Sequence, residues 1–112
     1  MVGTKETMGE AANRPVIWLG RSGRAYEMAS ENLADFIMAL DTLYLIAKGR
    51  NVLWVGSTNE LIGDPSSRAR FRLALGCADR IFRLDGASDD AGRLSAIWDL
   101  EGGAPEYERT AA

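Results

Sequence analysis

The chain of 112 residues has no histidine and a single cysteine. Without imidazole, a serine or cysteine nucleophile lacks its usual activating base, and a zinc or other soft-metal site lacks its usual ligands. Of metal chemistry, only an oxygen-ligated magnesium or calcium ion is left open. A lone thiol rules out an intrachain disulfide, and the place of Cys77 among Ala74, Leu75 and Ala78 predicts a small buried side chain. No apolar run approaches the roughly 20 residues that a helix needs to span a bilayer. The opening residues Met1 to Glu6 lack the basic-then-apolar order of a secretion signal. The expectation is a cytoplasmic protein that does not engage a membrane. Phosphate-cradling glycine loops are absent as well, because Gly20-Arg21-Ser22-Gly23 has neither their spacing nor their strand-to-helix setting.

What is present suits one small core: 46% of the residues are hydrophobic and 26% are charged. The net charge of -3 is unevenly spread. Residues 1–63 carry 6 basic and 7 acidic groups, residues 64–84 carry five arginines against two aspartates, and residues 85–112 carry two arginines against seven carboxylates. Arg68, Arg70, Arg72, Arg80 and Arg83 have the guanidinium forks that bind phosphate well. The alternative is that they pair with Asp79, Asp85, Asp89 and Asp90 on a solvated face. A pI near 4.9 disfavours nucleic acid as the partner and favours pairing.

Along the chain, residues 1–13 are polar and aperiodic and residues 102–112 offer little to pack, so both read as flexible tails around one domain at 14–101. Val16 to Leu19 and Ala25 to Met28 flank a glycine-containing reversal and predict a hairpin. Ser30 as N-cap, with Leu33, Phe36, Ile37 and Leu40 at three- and four-residue steps, predicts a helix. Residues 43–47 are open between the end of that helix and a strand. In the strand reading, Leu43 to Ile46 and Val52 to Gly56 form a second hairpin about Lys48-Gly49-Arg50-Asn51. The phrase Val52-Leu53-Trp54-Val55-Gly56 repeats the pattern of Val16-Ile17-Trp18-Leu19-Gly20, 36 positions earlier.

Asp64-Pro65 starts a helix running to about 78, or on to 83, with Phe71, Leu75, Ala78, Ile81 and Phe82 marking one face. Residues 81–84 extend it or form a short strand. Ser88 opens a last amphipathic helix that carries Leu94, Ile97 and Trp98 inward before Gly102-Gly103 stops it. The fold class is α+β: a small antiparallel sheet of hairpins covered by two to three helices.

Thr42-Leu43-Tyr44, a turn, and then Leu53-Trp54-Val55-Gly56-Ser57-Thr58-Asn59-Glu60-Leu61 resembles the core hairpin of GIY-YIG nuclease domains. The resemblance covers residues 42 to 101. It implies a metal-dependent endonuclease, or its inactive descendant, in which Tyr44 is the first tyrosine, Trp54 and Gly56 close the second strand, Arg68 or Arg70 contacts the scissile phosphate and Glu101 holds magnesium. Such a set is chemically coherent, since a metal ion and an arginine neutralise charge developing on a phosphate. The sequence departs from the pattern in three places. Thr42 replaces a glycine, Trp54 lacks the hydroxyl needed for proton transfer, and Ile62-Gly63-Asp64-Pro65 is inserted before the arginines.

The reading preferred from the sequence is a cytoplasmic, non-enzymatic interaction module that needs no cofactor. It binds an unknown protein partner or a second copy of itself, with Trp54, Gly56 and Arg72 as candidate binding residues. The alternative is the phosphodiester-handling domain with magnesium.

Overall fold

The computed structural model describes residues 15–85 and 89–106. Its strands are β1 (Val16–Leu19), β2 (Ala25–Glu31), β3 (Leu43–Lys48), β4 (Asn51–Gly56), β5 (Arg80–Leu84) and β6 (Ala104–Pro105). Its helices are α1 (Thr58–Gly63), α2 (Pro65–Cys77) and α3 (Asp90–Glu101). The strands form one six-stranded antiparallel sheet in the order β4-β3-β5-β2-β1-β6, and the fold is α+β. Among the described residues no helix is long and apolar enough to cross a membrane.

Alternation along the strands divides the core in two. Leu43, Leu45 and Ala47 of β3 join Trp18, Tyr26, Met28, Val55 and Phe82 beneath Ala96, Ile97 and Leu100 of α3. Tyr44 and Ile46 point the other way and join Trp54 and Ile81 beneath Phe71, Ala74 and Leu75 of α2. Helices α2 and α3 therefore cover opposite faces of the sheet. Strand β3 is apolar on both sides, which is why its sequence shows a continuous run in place of alternation and reads equally as strand or helix. The structure makes 43–48 a strand. It also makes 80–84 a strand, slotted between β2 and β3.

The helix expected over 30–40 does not form. Ser30 and Glu31 are spent on β2, where they pair with Phe82 and Ile81 of β5. The Asn32 side chain then accepts a hydrogen bond from Ala34 N at 2.9 Å, a local turn that competes with helix. Because β2 and β3 are each antiparallel to β5, they run parallel to one another, and residues 32–42 are the crossover between them. Phe36 and Met38 pack onto the α2 side of the sheet, while Leu33, Ile37 and Leu40 stay exposed. Asp41, at φ 59, turns the chain into β3.

Other elements follow their local chemistry. The reversal 20–23 closes by Gly20 N to Arg24 O at 2.8 Å, with Gly23 at φ 90. Gly49, at φ 58, takes the first position of the β3–β4 turn, and its N–H donates to the Asp79 carboxylate. Helix α1 starts on a capping box in which Ser57 and Glu60 satisfy one another's ends. Asp64 caps α2 by accepting from Ser66 N at 3.0 Å, with Pro65 at the first helical position. Asp89 caps α3; Ser88, the expected start, lies outside the described residues, as do residues 1–13 and 107–112 of the expected tails. Residues 104–105, also assigned to the C-terminal tail by sequence, instead pair with Leu19 and Trp18 of β1. Gly103 makes this possible, since a Cβ there would lie 2.5 Å from the Leu19 carbonyl oxygen.

Two further expectations are corrected. Cys77 is exposed, because α2 ends there and the helix turns Ala74 and Ala78 to the core instead. Trp98 is 58% exposed and faces outward on α3, where the Arg21 guanidinium stacks on its ring at 4.2 Å.

Candidate functional site

Tyr44 and Trp54 lie on neighbouring strands and point to the same side, with Tyr44 opposite Gly56 and Trp54 opposite Ile46. Tyr44 is 1% exposed, its ring meets Phe36 edge-on at 5.1 Å, and its hydroxyl oxygen accepts a hydrogen bond from Ala39 N at 2.8 Å. A phenol sealed beneath the crossover in this way holds the loop 32–42 in place and has no path to a substrate. Trp54 is likewise buried. Its Nε1 donates to Ser67 Oγ at 3.0 Å, and its ring meets Phe71 edge-on at 4.8 Å. Gly56 is required by that ring, since a Cβ would sit 2.7 Å from Trp54 Cη2.

The arginines of α2 have different tasks. Arg68 reaches back to α1, where Nη1 donates to the carbonyl oxygens of Leu61 at 2.7 Å and Ile62 at 3.4 Å, so it closes the C-terminal end of that helix. Arg70 and Arg72 are exposed and have no ion-pair or hydrogen-bond partner among the described residues. Arg80 lies over the Phe82 ring at 5.0 Å, and Arg83 pairs with Glu31 and Asp85.

Glu101 ends α3 and is exposed on the helix that covers the opposite face of the sheet from Tyr44. The sheet thus stands between Tyr44 and Glu101, and the tyrosine, arginine and carboxylate grouped by the nuclease resemblance do not share a concave site. Nor do the residues present fit a magnesium centre. The nearest carboxylate in sequence, Asp99, is fully engaged by hydrogen-bond donors, and among the described residues no group of three or more histidines, cysteines, aspartates or glutamates gathers to hold an ion.

The most strongly organised polar group is Asp99 on α3, only 5% exposed. Its carboxylate accepts from Ser22 N and Ser22 Oγ, both at 2.7 Å, and from the Tyr26 hydroxyl at 2.8 Å, while its carbonyl accepts from Arg21 N at 2.9 Å. Burial alone would raise its pKa. The hydrogen bonds from Ser22 and Tyr26 and the charge of Arg21 outweigh it and hold the carboxyl below the usual aspartate value. Burial and the Asp99 bond together push the Tyr26 phenol up. With every donor turned inward, this cluster locks the β1–β2 turn onto the end of α3. Glu60 plays the matching part at the other end of α3: its Oε2 meets Arg93 Nε at 3.0 Å while its Oε1 caps α1. Its desolvation is outweighed by Ser57 and Arg93, so its pKa too is lowered.

An open apolar feature lies elsewhere, between β4 and α2. A cleft of about 260 Å³ is lined by Leu53, Arg70, Leu73, Ala74 and Cys77. A β-bulge shapes it: Ile46 pairs with Trp54 but Ala47 pairs with Val52, leaving Leu53 as the extra residue of β4. The bulge breaks the alternation, so Leu53 and Trp54 both join the α2 side of the core. Leu73 is 71% exposed at the cleft's rim.

Of the candidate site residues named from sequence, only Arg70 lines this cleft. In the sequence reading Leu53 stands only in the hairpin phrase, Cys77 reads as buried filler, and Leu73 is not named. A signal for Leu73 was present, since a leucine three residues after Arg70 and four before Cys77 falls outside the buried stripe of α2. The bulge had no such signal. Compared with models of known protein families, with curated proteins and with solved structures, the chain shows no significant match to any.

Proposed function

We propose that this chain is a small non-enzymatic interaction module whose working surface is the α2–β4 side of the sheet. One observation carries the reading. Helix α2 presents arginines and no carboxylate in a chain of net charge -3, and beside its unpaired Arg70 it leaves Leu73 and the cleft open to solvent. Apolar surface rimmed by polar or charged groups is a feature of association sites. The buried groups are consistent with this, because Asp99 and Glu60, whose carboxyls are held below the usual range, make their hydrogen bonds within the fold.

A photocrosslinking residue in place of Leu73, expressed in the source cells, should give a discrete higher-mass adduct that is absent when the same residue replaces the exposed Glu27 of β2. Equal labelling at the two positions would refute the reading. The phosphodiester alternative is tested separately by incubating the purified protein with plasmid and magnesium. Nicking above a mock preparation, and lost in Tyr44→Phe and Arg68→Ala, would restore it.

A further inference from the structure

We propose that the α2–β4 cleft takes an extended acidic peptide, which adds to the sheet as a strand beside β4, inserts an apolar side chain against Leu53 and Leu73, and sets a carboxylate on Arg70. The proposal rests on the interaction-module reading and names the partner class for the same surface.

Three independent features select this occupant. The first is the edge. The sheet has two, and they differ: β6 is two residues long and ends in a proline, which cannot donate to a ladder, whereas β4 offers six residues with no other described strand beyond it. No described strand takes up the outer side of β4, the side on which main-chain pairing would supply the affinity in strand addition. The second is the size of the cleft. At about 260 Å³ it lies below the roughly 300–1,000 Å³ of pockets that enclose a whole small ligand, and it suits one or two side chains of a longer chain lying across it. The third is charge. Arg68, Arg70 and Arg72 put only positive side chains on α2, and Arg70 at the cleft and Arg72 beyond it lack partners, so carboxylates on the incoming chain are the complement.

The same features disfavour a second copy of this chain. Pairing β4 with β4 about a two-fold axis would bring the arginines of α2 toward those of its mate, and like charges across an interface are repelled. The bulge at Leu53 also disrupts the regular ladder that two long edges need, a known device against edge-to-edge association. A short flexible peptide follows a bulged edge more readily than a rigid sheet does.

The test uses two acetylated hexapeptides, one alternating aspartate with leucine and valine and one with lysine in place of aspartate, titrated into isotopically labelled full-length protein. The acidic peptide should shift the backbone amides of Val52 to Val55 and slow the reaction of Cys77 with a thiol reagent. The lysine peptide should bind roughly tenfold or more weakly, and Arg70→Glu should reverse that preference. Arg70→Glu is at an exposed position, and retention of the wild-type amide dispersion confirms that the variant folds. No shift from the acidic peptide up to about 1 mM overturns the proposal. So do shifts confined to another surface, equal binding of both peptides, or concentration-dependent shifts at β4 without peptide, which would identify a second copy as the occupant. If crosslinking from position 73 succeeds while these peptides fail, strand addition falls and the interaction reading stands. If neither occurs, both fall.

Discussion

Replacing Asp99 should cost more stability than any other single polar change among the described residues. Its carboxylate receives three hydrogen bonds, two from Ser22 and one from Tyr26, in a site that is 5% exposed. Bonds to a charged group are worth about 1.5–3 kcal/mol each, but the three share one acceptor and do not add. In Asp99→Ala the buried Tyr26 hydroxyl and the Ser22 N–H lose their acceptor, and the expected loss is about 3–5 kcal/mol, comparable to breaking a buried ion pair. That is a large part of the roughly 5–15 kcal/mol that holds a domain together, and at about 4 °C per kcal/mol it lowers the melting midpoint by about 12–20 °C. Asp99→Asn keeps one carbonyl oxygen for Ser22 N, and the two hydroxyls can rotate to accept from the amide, so its loss is about 1–2 kcal/mol.

The pH dependence separates the charge from the packing. The folded pKa of Asp99 lies below its ordinary value, so the stabilisation is fully present above the unfolded carboxylate value of about 4 and is lost as pH falls through the lower folded value. Urea unfolding of wild type and Asp99→Asn at neutral and acid pH reads this directly: the gap should close in acid, while the cavity cost of Asp99→Ala persists. The Tyr26 phenol gives a second readout, since its raised pKa should fall toward the ordinary tyrosine value once the neighbouring charge is removed. An Asp99→Asn variant with the wild-type midpoint at neutral pH, or a gap unchanged down to about pH 2, would refute the assignment of Asp99 as a charged lock.

The other predictions are narrower. Gly20→Ala places a Cβ 2.3 Å from Asp99 Cγ and should destabilise by about 1–3 kcal/mol through displacement of the same carboxylate, read by thermal unfolding. Ser67→Ala leaves the buried Trp54 Nε1 without an acceptor, and chemical denaturation should show a loss of about 1–3 kcal/mol. Arg68→Ala should cost about 0.5–1.5 kcal/mol by freeing the Leu61 and Ile62 carbonyls, with hydrogen exchange accelerating in α1 and not in β3. Cys77 in the native protein should react with a thiol reagent at a rate close to that of the unfolded chain; protection by more than about tenfold would contradict its exposed position.

How much of this was legible depends on whether a residue's role is set by its near neighbours or by distant chain. The β1–β2 reversal, the Asp64-Pro65 start of α2 and the turn at Gly49 are encoded within a few residues, and sequence located each of them. The Trp18 and Trp54 strands were found for the same reason. The crossover 32–42 carries the spacing of an amphipathic helix, yet whether Ser30 caps a helix or pairs with Phe82 is decided by β5, fifty residues on. Periodicity cannot see that competition, and the long-range ladder won it.

The candidate site divides along the same line. Tyr44 and Trp54 do fall on adjacent strands and on one face, because a hairpin is local, but the register sets Tyr44 opposite Gly56 and Trp54 opposite Ile46. That Trp54 is a core residue was legible from its place in an apolar strand, but the full burial of Tyr44 and its cover by α2 and the crossover were not, because alternation in a strand apolar on both faces does not say which face a helix will cover. Glu101 was grouped with them only by order along the chain, and α3 took it to the other side. The cleft itself depends on one extra residue in β4. A bulge at Leu53 changes no composition and no spacing that sequence could weigh, but it turns two successive apolar side chains toward α2. That local defect in the ladder sets the half-buried Leu53 against the α2 side and makes it the floor of the cleft beside the exposed Leu73.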